Sequence, residues 1–291
     1  MKKVWVLFLL VLSSCATPGH RQGVSPADDS GALPIIDAHT HARFSGGNEP
    51  FSKIPMTEEQ YFAEWKRNGV VGAVAHVGQK GQEHHPRLIS ERNMKFCAGA
   101  SSSPDLVRIE KGLKDKTYGC IKVYLGYVHQ FANDPRYQHL YRLARKFKVP
   151  VVFHTGDTYS VDGKLKYADP LTIDEVAVDY RDVQFVIAHL GNPWIQSAAE
   201  VAYKNPNVAV EVSALLIGNL DDQDPAKVDE LVVKPIAWAF TYIEDPSKIM
   251  YGTDWPLTDM ASYIRAVKRA IPREHWNAVF HDNAARIFGL K

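Results

Sequence analysis

The chain has little of several things, and each shortage narrows its function. Lys and Arg number 34 against 33 Asp and Glu, for a formal net charge of +1, so no strongly basic face for nucleic acid is visible. No glycine-rich dinucleotide fingerprint follows the first strand-like segment, which argues against an open sheet built around a nicotinamide or flavin cofactor. The one unbroken apolar run, Val4 to Leu12, is too short for a stable membrane span. Cysteines number three: Cys15, Cys97 and Cys120.

The N-terminus accounts for the first cysteine. Two lysines, the apolar run and small residues before Cys15 form a secretory signal. Leu12, Ser13, Ser14 and Cys15 match the lipobox of bacterial lipoproteins, in which the cysteine is acylated and becomes the first mature residue. Residues 1–15 are therefore expected to direct the chain to an extracytoplasmic membrane anchor, each buried acyl methylene contributing roughly 0.8 kcal/mol. Ala16 after the cysteine offers no retention signal, so the periplasmic face of an outer membrane is favoured in a two-membrane cell. Residues 16–32, rich in Pro, Gly, Ser and Asp, read as a flexible tether. With Cys15 acylated, Cys97 and Cys120 are left; they fall on consecutive strand-like segments, and buried free thiols are favoured over a disulfide.

Residues 33–291 alternate strand and helix eight times, which predicts a single-domain α/β fold, a (β/α)₈ barrel. The strands read as 35–41, 70–77, 95–100, 120–125, 150–155, 184–190, 208–213 and 249–252, dense in Val and Ile as expected when both faces are buried. Helices are expected over 57–68, 105–115, 136–147, 193–204 and a long 227–243, with the terminal segment as a closing helix.

Near the C-terminal ends of five of these strands stand His39 and His41, Lys122, His154, His189 and Asp254. That end of a barrel is where chemistry sits in enzymes of this fold. Period-two alternation puts His39 and His41 on one face, with Asp37 one layer lower. Histidines with a carboxylate suit a divalent metal, zinc first and manganese, iron or cobalt next, as one ion or two. Lys122 has three readings that the residues leave open: carboxylated and bridging two metals, binding a substrate carboxylate, or pairing with a neighbouring acid. An inward lysine is costly without a partner. Arg43, Tyr124, Asn192, Trp194 and Trp255 lie just past these strands and are expected to contact a small-molecule substrate. His76 and His129 carry weaker signals, and His20, His84, His85, His139, His275 and His281 are left out.

The segments IDAHTH, GCIKVYL, VVFHTGDT, FVIAHLGNPW, YGTDWP and NAARIFGL occur in that order across nearly the whole mature chain. They resemble the amidohydrolase superfamily, in the branch of metal-dependent barrel hydrolases that includes aminocarboxymuconate-semialdehyde decarboxylase. The resemblance implies that His39, His41, His154 and Asp254 bind metal and that His189 polarises substrate or helps hold a second ion. The lipoprotein signal departs from the cytoplasmic members of that branch. The expected activity is hydrolysis of an amide, lactone or ester by metal-activated water, with Asp254 moving the proton and His189 meeting the oxyanion. Nonoxidative decarboxylation and ligand capture without turnover are the rival expectations. A homodimer is compatible with such a barrel but is specified by no residue.

Overall fold

In the computed structural model, which describes residues 33–78 and 85–291, short runs of Val, Ile and Ala form eight parallel strands. These are β1 Ile35–Thr40, β2 Val70–His76, β3 Met94–Ala100, β4 Cys120–Tyr124, β5 Val151–His154, β6 Phe185–Ile187, β7 Val208–Glu211 and β8 Ile249–Met250. They neighbour one another in sequence order, as successive βα units require. The circle closes between β1 and the segment after β8: Ala38 N–H donates to Tyr251 O at 3.0 Å, Asp254 N–H to His39 O at 2.7 Å, and His41 N–H to Trp255 O at 2.7 Å. The expected single-domain barrel is the observed fold. The signal, Cys15, the tether and His84 lie outside the described residues.

Each strand is followed by a helix: α1 Glu58–Asn68, α2 Arg87–Glu91, α3 Leu106–Lys114, α4 Gln138–Phe147, α5 Thr172–Asp179, α6 Ile195–Lys204, α7 Lys234–Ile243 and α8 Met260–Ala270, with α9 Asn283–Phe288 closing the chain. Thr57 caps α1 by accepting Gln60 N–H, and Gly69 ends it in the left-handed region, so the sequence marks both ends of this helix. The expected long helix over 227–243 is interrupted by a wider turn at Asp229–Val233. Pro235 lacks the N–H that would continue the ladder through it. Among the described residues no helix is long and apolar enough to cross a membrane.

The barrel interior is one cluster comprising Ile36, Ala38, Val74, Cys97, Cys120, Val152, Val186, Ala209 and Met250, with Ala284 and Phe288 of α9 packed on it. Because strand side chains repeat every two residues, continuing these rows from Val74, Cys120, Val152 and Ala209 gives His76, Lys122, His154 and Glu211. The apolar interior thus turns polar at one height. Cys97 and Cys120 are direct partners in the β3–β4 register and form a disulfide, which corrects the free-thiol expectation. Both were placed on adjacent strands, but only the register decides whether they face each other.

Most strand expectations run a residue or more past what is observed, and at two of them the overshoot bears on the site. The sixth strand stops at Ile187, and Ala188–Gly191 form a tight turn in which His189 (φ 59°) and Leu190 (φ 49°) are left-handed. The eighth stops at Met250, and Asp254 also sits at positive φ, 58°. Both side chains are therefore aimed by turns, not by a strand's pleat.

Candidate metal centre

Five imidazoles and three carboxylates gather where the interior rows end. The His39 ring lies 4.0 Å from that of His76, 4.7 Å from that of His189 and 5.7 Å from that of His41, while His154 lies 4.7 Å from His189. Burial depresses the pKa of His39, His76, His154 and His189, and neighbouring cationic groups such as Lys122 add to the effect. Each imidazole is thereby favoured in its neutral form, the form that donates a lone pair to a metal.

Hydrogen bonds fix which lone pair is free. Glu211, fully buried at the end of β7, accepts the His39 Nδ1–H at 2.7 Å, which leaves His39 Nε2 as an acceptor. That nitrogen faces Asp254 Oδ1 at 3.4 Å, and His41 Nε2 reaches the same oxygen at 3.1 Å. A nitrogen lone pair opposite an ionised carboxylate oxygen repels unless a cation lies between them. Burial alone would raise the Asp254 pKa, but His41, His189 and Lys122 bring it below the ordinary value, so the carboxylate form is favoured. His39, His41 and Asp254 offer ligand atoms within 4.8 Å of one another, a donor set that could hold a divalent cation. Buried atoms without a hydrogen-bond partner include Asp254 Oδ1, His41 Nδ1, both His76 ring nitrogens and Lys122 Nζ. Such atoms are rare in folded proteins, and their concentration here suits a site for a cation.

His154 and His189 form a second pair across the same cavity. A backbone carbonyl only accepts, so His154 Nε2 donates to Asp157 O at 2.8 Å. Its Nδ1 lies 3.0 Å from His189 Nε2, and His189 Nδ1 in turn lies 2.9 Å from Ser213 Oγ and 3.3 Å from Ser213 O. Asp37 is committed elsewhere: it accepts from His39 N at 3.1 Å, Thr253 N at 2.9 Å and Thr253 Oγ at 2.5 Å. Burial raises its carboxyl to about 7 against the opposing Thr253 donors. Asp37 thus braces the turn that carries Asp254 and is not aimed at the cation.

Lys122 is fully buried, its ammonium pushed down to about 8 by burial and supported by the charges of Glu211 and Asp254. It does not line the cavity. The cavity itself, about 700 Å³, is lined by His41, His154, His189 and Asp254. Arg43, Tyr124 and Asn192 also line it, whereas Trp194 and Trp255 do not. Trp194 borders a separate surface cleft with Trp238, and Trp255 is buried with its ring 4.4 Å from Tyr61. Both tryptophans follow a turn, and the turn carries them away from the mouth. An apolar wall of Met56, Leu215, Leu216, Ile217 and Leu257 and a polar one with Glu49, Tyr127 and Tyr159 complete the cavity.

Glu211 was missed, and His76, given only a weak signal, stands within the centre. Their signal was in the sequence: each is an ionisable residue at the end of a strand that is otherwise apolar on both faces. The weak signal at His129 leads elsewhere, to Asp162 O at 2.9 Å.

The amidohydrolase family model matches residues 36–290. The chain belongs to the amidohydrolase family. It is an enzyme of that metal-dependent family, whose members include hydrolases and decarboxylases. Similar solved structures include an uncharacterised TIM-barrel protein from Bordetella bronchiseptica, at 18% identity and TM-score 0.67, covering 88% of this chain and 99% of that one. A probable 2-pyrone-4,6-dicarboxylic acid hydrolase from Acinetobacter baumannii matches at 16% identity and TM-score 0.65, covering 88% and 100%. A 5-carboxyvanillate decarboxylase from Sphingomonas paucimobilis matches at 12% identity and TM-score 0.59, covering 89% and 100%. At these identities the likeness shows the fold alone. No curated protein matches the sequence.

Proposed function

We propose that this amidohydrolase is a zinc-dependent hydrolase that cleaves an amide, lactone or ester bond in a small molecule. The observation that carries the reading is the convergence of His39 Nε2 and His41 Nε2 on one oxygen of Asp254, at 3.4 and 3.1 Å, with no hydrogen-bond partner for that oxygen. His39, His41 and Asp254 would hold the ion, with His154 and His189 facing it across the cavity. Manganese, iron or cobalt fits the same donors less well than zinc.

A divalent cation supplies Lewis acidity there and lowers the pKa of water from roughly 15.7 towards 7. The other steps belong to side chains. Asp254, ionised and at the cavity wall, accepts the proton of the attacking water and returns it to the leaving group. His189 Nε2, which lies 3.0 Å from His154 Nδ1, turns to the developing oxyanion as a donor; loss of such a donor typically costs roughly 10² to 10³ in rate. Leu215, Leu216 and Ile217 offer an apolar wall for the non-reacting part of the substrate.

A second reading, nonoxidative decarboxylation of a small carboxylic acid, is supported by Arg43 on the cavity wall, where it can receive a carboxylate. The two readings separate in ¹⁸O-labelled water, with 2-pyrone-4,6-dicarboxylate and hydroxybenzoates among the probes. Hydrolysis incorporates the label into the cleaved organic product, and decarboxylation releases CO₂ and leaves the organic product unlabelled. Asp254→Asn is expected to abolish turnover on any active probe; near wild-type turnover with metal bound would remove Asp254 from the proton path.

We further infer a lipid-anchored extracytoplasmic protein. The Leu12 to Cys15 lipobox supports this, and so does the Cys97–Cys120 disulfide, which suits an oxidising compartment. Incorporation of labelled palmitate that disappears in Cys15→Ala is the expected result, and unchanged labelling would contradict the assignment.

A further inference from the structure

Glu211 lies close enough to His39 and His189 for the three to pass as a second cation site, their ligand atoms being within 4.8 Å of one another. The hydrogen bonds point another way. Its Oε1 accepts the His39 Nδ1–H at 2.7 Å and the His189 backbone N–H at 2.9 Å, and its Oε2 accepts Ser213 N–H at 2.8 Å. A carboxylate offers about four lone-pair sites, and three are filled by donors that would otherwise be orphaned in the interior. A cation on Oε1 would have to displace two of them, and one on His39 Nδ1 would have to displace a proton already shared with a buried charge.

We propose that Glu211 is a positioning residue of the metal centre and not one of its ligands. It acts through two neighbours at once. On His39 it holds the proton on Nδ1, turns Nε2 towards Asp254 and makes that nitrogen the more basic donor. On His189 it grips the N–H of a residue whose φ is 59°, a backbone state that L side chains adopt at a cost, and so fixes where the imidazole meets the cavity. The neighbouring Ser213, held by the other carboxylate oxygen, sets its hydroxyl 2.9 Å and its carbonyl 3.3 Å from His189 Nδ1. One buried acid thereby sets the tautomer of a ligand and the placement of the substrate-facing histidine.

This inference rests on the metal reading above, and the test separates the two. Zinc binding is measured on the detergent-solubilised full-length protein by competition with a chelating dye, for wild type, Glu211→Gln and Glu211→Asp. The expected result is an unchanged number of zinc ions with an affinity 10- to 100-fold weaker in both variants, the usual cost of losing an acid that supports a ligand. Loss of a whole zinc equivalent, or affinity equal to wild type, overturns the proposal. Should both variants fail to fold, ¹⁵N histidine spectra of zinc-loaded wild type decide it alone. His39 is expected to keep its proton on Nδ1 and bind through Nε2, and binding through Nδ1 overturns the assignment. A wild type that takes up no zinc overturns the metal reading itself, and this inference with it.

Discussion

Gly156→Ala tests how tightly the loops behind His154 and His189 are fitted together. Gly156 sits at φ +81°, and a Cβ built on it would lie 2.1 Å from Asn192 O and 2.9 Å from the carbonyl carbons of Asn192 and Gly191. These are backbone atoms of the turn that follows His189, and Asp157 N–H already bonds the same Asn192 oxygen at 2.7 Å. The left-handed φ costs an alanine about 1 to 2 kcal/mol, and relieving the overpacking costs about 1 to 3 more. The expected destabilisation is thus about 2 to 5 kcal/mol, a fall in Tm of roughly 4 to 20 °C for a domain of this size. Gly46→Ala is the control: its φ is +82°, but nothing lies within 4 Å of the added carbon, so only the backbone cost applies. Thermal unfolding by circular dichroism, with turnover on an active probe, reads both effects. Equal melting of the two variants would refute the claim that close approach of the two loops matters here. Because a displacement of about 1 Å at a reacting group can cost about 10² in rate, Gly156→Ala should also lose turnover that Gly46→Ala keeps.

Removal of the disulfide by Cys97→Ala with Cys120→Ala should destabilise the fold by about 3 kcal/mol, given the 23-residue separation of the two cysteines. Urea unfolding of the double variant measures this, and an unchanged midpoint would show that the bridge constrains nothing. Lys122→Met removes a buried ammonium without a hydrogen-bond partner. It should destabilise the fold by about 3 to 5 kcal/mol on thermal unfolding, because removing one partner of a buried group of charges leaves Glu211 and Asp254 uncompensated. An unchanged Tm would show that Lys122 compensates neither acid.

The period-two rule was enough to find most of the centre. His39 and His41 could be paired because they stand two apart on one strand, and His154 because an isolated histidine ends an apolar run. What the chain does not display is set by register and turns. Whether Cys97 meets Cys120 depends on how β3 slides on β4, and whether Asp37 faces the cation depends on the register shift between Asp37 and Thr40 in β1. His189, Asp254, Trp194 and Trp255 all follow strand ends, where a left-handed residue or a tight turn redirects the side chain and alternation no longer applies. Glu211 was legible in principle, since an acid in an otherwise apolar strand demands partners. Its partners, His39 and the His189 backbone, lie 172 and 22 residues away, and only closure of the barrel brings them together.

The most direct test of the account is elemental analysis of the full-length protein, purified without chelator and reconstituted with zinc, comparing wild type with His39→Ala. The account predicts a bound divalent metal in wild type and its loss in the variant, since His39 Nε2 and Asp254 Oδ1 are then no longer opposed. Protein that folds yet holds no metal after reconstitution with zinc or manganese would contradict the central claim.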